Sequence, residues 1–175
     1  GEAIARRMAG AGATVLLGDI QDGRVAHVAR SISSGGAEAS AASVDVSDPA
    51  SAAAMIQIGL ERYGRIDVLV NNAGIDAPPG AAWEIDAEHW RRVIDTNLSG
   101  AWWCTSAVLD HMRARGSGRI IFISSGSARI GDAGISVSYN AGKAGLVGLT
   151  IGLSVHLERF GILVNAIAPG YTGTG

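Results

Sequence analysis

Short apolar runs and helix-like stretches take turns along this 175-residue chain, and that alternation constrains the fold more than any other feature. Residues 14–17, 41–46, 66–70, 119–123 and 162–168 each have the length and apolar character of a strand. Between them, apolar side chains recur at helical spacing. Residues 22–32 carry Val25, Val28 and Ile32, and residues 86–115 carry Trp90, Val93, Ile94 and Leu98 behind a capping Asp86. Residues 138–160 carry Leu146, Leu149, Leu153 and Leu157. Asp48-Pro49 and Gly64 bracket another helix, with an N-cap followed by proline at the first helical position and a glycine at the stop. Gly1 to Met8 reads as a helix ended by Gly10 and Gly12. Strands separated by helices need crossover connections, which place parallel strands side by side with helices on both faces. The expected fold class is therefore α/β, a doubly wound parallel sheet in a single domain over residues 1–175, a length that can bury one sizeable core.

Ligands of such sheets bind beyond the carboxyl ends of the strands. Five strand ends here carry polar or glycine chemistry: Asp19, Asp45, Asn71-Asn72-Ala73-Gly74, Ser124-Ser125 and Pro169-Gly170. The opposite ends carry ordinary turns. A glycine opening a helix, then a strand, then an acid about 20 residues on is the back half of a dinucleotide-binding fingerprint. Its front half would precede Gly1. An acid at a strand end is also a common turn residue or cap, so Asp19 alone does not decide between the two.

Tyr139 and Lys143 are the sharpest chemical pair. Four residues apart on a helix, they share a face. A cation beside a phenol favours the phenolate, which makes a base that works nearer neutral pH. Lys143 is the only lysine; the other 13 basic residues are arginine, so a compact ammonium is used at this one position where a planar guanidinium is used elsewhere. Taken alone, the spacing is weak and fits a helix tyrosine beside a solvated lysine better. Asn97 sits inside the long helix, where asparagine competes for backbone bonds. A locally opened turn there, next to Gly100, would free a carbonyl to hold water; a solvated side chain is the alternative. Trp83 either lines a pocket or covers the core.

Composition narrows the classes. With 47% hydrophobic and 17% charged residues the chain is globular, and a net charge of −2 gives no reason to expect a nucleic-acid partner. Cys104 is the one cysteine, which rules out internal disulfides and cysteine-built metal sites, and its setting beside Trp102 and Trp103 suits a buried, inert thiol. The histidines at 27, 89, 111 and 156 lack ligand spacing, so no metal is expected. No run reaches the ~18 apolar residues of a membrane span and no signal peptide is visible. A cytoplasmic location is expected.

With these residues in view, the sequence resembles the short-chain dehydrogenase/reductase family from Gly1 to Thr174. Gly1-Glu2-Ala3-Ile4-Ala5 is similar to the tail of that family's glycine-rich loop and first helix. Asp19 matches the acid that holds the adenosine ribose, Asp45-Val46 the pair against adenine, and Asn71-Asn72-Ala73-Gly74 the family's NNAG. Asn97, Ser125, Tyr139 and Lys143 match its catalytic tetrad, and Pro169-Gly170 with Thr174 the segment beside nicotinamide. The resemblance implies a cofactor site made of Gly1, Asp19, Ile20, Asp45, Val46, Asn72, Ala73, Gly74, Tyr139, Lys143, Pro169, Gly170 and Thr174. It implies hydride transfer between NAD(H) and a secondary alcohol or ketone, in a homo-oligomer, a tetramer. NAD is expected over NADP because Asp19 would repel a 2′-phosphate. The first strand, most of the glycine-rich loop and the substrate-capping tail are missing, so the chain is expected to be a fragment truncated at both ends. Ser125 lies fourteen residues before Tyr139, one more than is usual. An extra residue in the loop after it reconciles the two, with Ser127 and Ser124 as fallbacks. The alternative on the same fold is a nucleotide-binding regulatory protein without turnover.

Overall fold

The computed structural model describes residues 1–76, 81–130 and 134–170. Strands and helices alternate as the sequence predicts: α1 (Glu2–Gly10), β1 (Val15–Asp19), α2 (Asp22–Ser34), β2 (Ala39–Ser43), α3 (Pro49–Tyr63), β3 (Val68–Asn71), α4 (Ala87–Ile94), α5 (Gly100–Arg115), β4 (Gly118–Ile123), α6 (Val137–Leu157) and β5 (Ile162–Ile167). All strand pairings among the described residues are parallel. β1 runs beside β2 from Val15 opposite Ala39 to Asp19 opposite Ser43. β3, β4 and β5 form a second ladder with β4 in the centre. The doubly wound α/β class and the single domain are as expected, but the sheet is drawn as two ladders, because β1 and β3 exchange no hydrogen bonds.

Local chemistry sets the element ends. The Asp48 side chain accepts the Ala50 N–H ahead of Pro49, and Gly64 closes α3 in the left-handed region at φ 73°. Asp86 accepts the His89 N–H at the start of α4, as predicted. Two expectations need correction. The second strand is Ala39–Ser43, not 41–46. Beyond Ser43 the backbone is diverted by side chains: Asp45 Oδ1 accepts the Ser47 N–H at 2.9 Å, and the Asp45 N–H goes to Ser51 Oγ at 3.0 Å. The apolar-looking Val44-Asp45-Val46 is thus a turn. The single helix expected over 86–115 is interrupted by a π-helical turn, Asp95–Ser99, marked by the Gly100 N–H bonding to the Asp95 carbonyl. In β3, Leu69 and Asn71 are buried while Val68 and Val70 are half-buried.

The main core lies among α3, α5, α6 and the three-stranded ladder, centred on Val108, Met112, Ile120, Phe122 and Leu146. A smaller cluster joins α1 and α2 through Ala5, Ala9, Val28 and Ile32. Cys104 belongs to the main core, and burial raises its thiol pKa to about 11, which suits an inert cysteine. No helix among the described residues is long and apolar enough to cross a membrane.

Candidate active site

Asn97 is the hinge of the site. The π-turn points it inward, fully buried. Its Oδ1 accepts the Ile75 N–H at 2.7 Å and its Nδ2 donates to the Ile75 carbonyl at 2.8 Å. Both halves of the amide are used, so Asn97 clamps the segment that follows β3. A solvated asparagine is thereby excluded. Gly142 on α6 permits the approach, since a Cβ there would stand 3.2 Å from the Asn97 Cβ. Gly100 does the same for the start of α5, where a Cβ would stand 2.9 Å from the Val46 carbonyl oxygen.

Tyr139 and Lys143 sit on the first turns of α6. Ser136 caps this helix, its Oγ accepting the Tyr139 N–H at 3.2 Å, an arrangement that typically stabilises a helix by ~1 kcal/mol. The Lys143 side chain is buried, with its ammonium 5.6 Å from the centroid of the Tyr139 ring. Lys143 Nζ donates to the Ile123 carbonyl at the end of β4, 2.9 Å away. Desolvation by burial lowers the Lys143 pKa from its usual value. Gly74 faces this ammonium. A Cβ there would lie 3.1 Å from Lys143 Nζ and 3.3 Å from Asn97 Oδ1. Asn97, Lys143, Tyr139 and Gly74 are therefore brought together from three distant stretches of chain.

Ser125 follows β4 directly, two residues past Ile123, and is half-buried. Its Oγ accepts the Ser127 N–H at 3.2 Å and the Ser127 hydroxyl at 2.9 Å. Gly126 donates its N–H to the Pro169 carbonyl at 2.8 Å, which ties the serine turn to the segment after β5. Ser124, a fallback for the catalytic serine, is buried and donates to the Lys143 carbonyl at 2.7 Å. It positions α6 against β4 and has no proton to spare for a substrate.

The other expected cofactor residues occupy the same rim. Gly1 abuts Asn72, and a Cβ on Gly1 would stand 3.0 Å from Asn72 Nδ2. Asp19 ends β1, its Oδ1 accepting the Gln21 N–H at 2.9 Å, and Ile20 beside it is 66% exposed. Asp45 and Val46 lie in the turn after β2, and Ala73 lies between Asn72 and Gly74 after β3. Thr174 lies outside the described residues. Trp83 is 87% exposed in the turn Ala82–Glu84, so it covers no core.

Three supports escaped the sequence reading: the Ser136 cap, the Ser124 bond to α6, and the buried pair in which Asn71 Nδ2 donates to Thr105 Oγ1 at 3.1 Å. The first left a signal, a serine three residues before Tyr139. The other two join residues 19 and 34 positions apart with no local pattern.

The rim of loops around a buried lysine and a half-buried tyrosine belongs to a parallel α/β fold with known counterparts. The chain belongs to the short chain dehydrogenase family, whose model matches residues 1–175. It is 42% identical over 174 residues to the cis-4-hydroxycyclohexanecarboxylate dehydrogenase of Sinomonas cyclohexanicum, covering 99% of this chain and 69% of that one. Among solved structures it is similar to a gluconate 5-dehydrogenase from Burkholderia cenocepacia in complex with NADP and tartrate. That match has a TM-score of 0.92 and 35% identity, over 99% of this chain and 68% of the other. An actinorhodin polyketide ketoreductase with NADPH matches with a TM-score of 0.93 and 36% identity, over 98% and 66%. The chain thus spans about two thirds of the length of these relatives. It is a stretch of an oxidoreductase of this family.

Proposed function

We propose that the protein carrying this chain interconverts a secondary alcohol and a ketone with a nicotinamide cofactor, using Tyr139, Lys143, Ser125 and Asn97. The observation that carries the reading is the buried Lys143 ammonium beside the Tyr139 ring, held by the Ile123 carbonyl and faced by Gly74. A fixed cation next to a phenol on a strand-end rim suits proton abstraction from a hydroxyl.

The residues present fit the cofactor. Glycine at position 74 keeps the space beside Lys143 open, and Asp19 offers a carboxylate at the end of β1 with one oxygen engaged by Gln21. The bound nicotinamide would accept or return the hydride. Tyr139 takes the hydroxyl proton of the alcohol, or returns it to the ketone oxygen. Lys143 has three donors; Ile123 uses one, leaving two for ribose hydroxyls or water. Ser125 donates a hydrogen bond to the substrate oxygen as negative charge grows there. Asn97 holds the rim in register through Ile75, and we assign the relay water to a carbonyl of the π-turn around it. Gly1, Ile20, Asp45, Val46, Asn72, Ala73, Pro169, Gly170 and Thr174 complete the cofactor contacts. We assign NAD as the cofactor on the charge of Asp19.

The same reading includes assembly into a homotetramer. Trp102 and Trp103 of α5 and Leu149 and Leu153 of α6 line an open apolar groove of about 580 Å³. An apolar helix face of this kind is suited to a second copy. Light scattering at micromolar concentration tests it, and a monomer would count against it.

Tyr139→Phe in the full-length protein is the decisive experiment. Turnover should fall at least a thousandfold while cofactor affinity stays within about twofold, because the ring remains and only the proton acceptor is lost. Activity above a few per cent of wild type would remove Tyr139 from the mechanism.

A further inference from the structure

We propose that Ser127 is a positioning residue that makes Ser125 a one-way hydrogen-bond donor toward the substrate oxygen. The inference rests on Ser125 meeting that oxygen, as argued above. Ser125 is the N-cap of the short turn Gly126–Ala128, in extended backbone. Its Oγ receives two hydrogen bonds from the same residue, one from the Ser127 N–H at 3.2 Å and one from the Ser127 hydroxyl at 2.9 Å. A serine hydroxyl has two lone pairs and one proton. Both lone pairs are taken inside the turn, so the proton is the only capacity left for a partner outside it.

This polarity has a chemical consequence. A serine free to rotate could accept the O–H of a neutral alcohol and hold its proton away from Tyr139. With its lone pairs filled, Ser125 cannot compete for that proton. It can only donate, and its partner must be an oxygen able to receive: a ketone carbonyl, or an alcohol oxygen as its proton leaves for Tyr139. The donated Ser127 proton also polarises the Ser125 O–H, which strengthens the bond that O–H makes. No bond is made or broken at Ser127. Its own backbone is held independently of its side chain, because the Ala128 N–H bonds the Ser125 carbonyl at 3.1 Å and the Gly126 N–H bonds Pro169. Removing the Ser127 hydroxyl therefore frees one lone pair of Ser125 and leaves the turn in place.

The test compares Ser127→Ala, Ser127→Thr and Ser125→Ala in the full-length protein, measuring kcat and KM separately in the alcohol and ketone directions, with Tm as a control. Ser125→Ala should lower kcat about 10²- to 10³-fold, the usual cost of one donor to a developing oxyanion. Ser127→Ala should lower kcat about three- to tenfold with KM nearly unchanged, the effect of one neutral hydrogen bond acting at second hand. Ser127→Thr, which keeps the hydroxyl, should recover most of the rate. A wild-type kcat in Ser127→Ala, with Ser125→Ala inactive, overturns the positioning role and leaves Ser125 in place. Full activity in Ser125→Ala overturns the assignment of Ser125 itself. A larger loss in Ser127→Ala than in Ser125→Ala makes Ser127 the serine that touches substrate and overturns both. A loss in Ser127→Ala that threonine fails to rescue and that comes with a fallen Tm reduces Ser127 to packing.

Discussion

The two ends of β3 handle charge in opposite ways. Just before the strand, Asp67 meets two guanidinium groups: Arg65 Nε lies 3.0 and 3.1 Å from its two oxygens, and Arg115 donates at 3.1 Å. The Asp67 side chain is 50% exposed. The hydrogen bond from Arg65, ahead of that from Arg115, holds its carboxyl below the usual range. Beyond the other end, Gly74 faces Lys143, which is only 4% exposed and bonds a neutral carbonyl. No carboxylate forms an ion pair with Lys143 among the described residues. One rim pairs charge with charge in water, where the pairing is worth little. The other keeps a single cation dry and uncompensated, which costs stability and leaves its field available to a ligand. In such a sheet the charge that the fold tolerates without neutralising marks the chemical rim.

Lys143→Met is the largest expected effect and tests that contrast directly. Methionine fills similar volume without the ammonium, so turnover should fall by at least a thousandfold. Stability should not fall with it. Because burial lowers the folded-state pKa of Lys143, the folded protein binds fewer protons than the unfolded chain between that lowered value and ~10.4. Stability from this group therefore rises with pH across that window, and below it the desolvation cost is present in full. At neutral pH the methionine variant should show an equal or higher Tm, the lost bond to the Ile123 carbonyl being offset by the removed desolvation. The Tm difference between variant and wild type should shrink as pH approaches 10. A Tm lower by more than about 4 °C at pH 7 would mean that Lys143 is a structural cation.

A smaller effect is expected at Asp19, the exposed carboxylate of the same rim. Unit like charges ~4 Å apart repel by ~4 kcal/mol at an effective dielectric near 20, and solvent reduces this, so a preference for NAD over NADP of at least about tenfold in kcat/KM is expected. Asp19→Asn is the informative variant, because its Oδ1 can still accept the Gln21 N–H while the charge is gone. The ratio should move toward unity. A wild type that prefers NADP, as the NADP-bound structural neighbours make a fair challenge, ends the proposal; so does an unchanged ratio in the variant.

What could be read from the chain was what is written locally. Asp48-Pro49 and Gly64 mark the ends of α3 through their own backbone preferences, and the Tyr139–Lys143 spacing fixes a shared helix face. Asn97 in mid-helix signals a fault in the helix, and the π-turn is that fault. The burial of Lys143 was not legible, since spacing sets a face and says nothing of what covers it. Nor was the partner of Asn97, because Ile75 lies 22 residues away. The second strand was misplaced because Val44-Asp45-Val46 has a strand's pattern while Ser47 and Ser51 claim its hydrogen bonds. In the sequence Ser125 and Ser127 are rivals for one role. The structure places them in one turn, bonded to each other.

The smallest effect should come from the charge-rich end of β3. Asp67→Asn removes the anion that two arginines share, yet both arginines remain in contact with water. Arg115 also keeps the Ile66 carbonyl within 3.4 Å, and His111 Nε2 accepts the Ile66 N–H at 3.3 Å, so the strand start retains other ties. Exposed ion pairs contribute little, and Tm should fall by no more than about 4 °C at low salt and less at 0.5 M salt. The sign with pH is fixed by the lowered Asp67 pKa: its contribution is present above the unfolded value near ~3.9 and is lost as pH falls through the lower folded value, so wild type and variant should converge in strong acid. Turnover and cofactor preference should be unchanged, since nothing of the site lies at this end. A tenfold drop in kcat from Asp67→Asn would show that the two ends of β3 are coupled, and the division between a paired, structural rim and an unpaired, chemical one would fail.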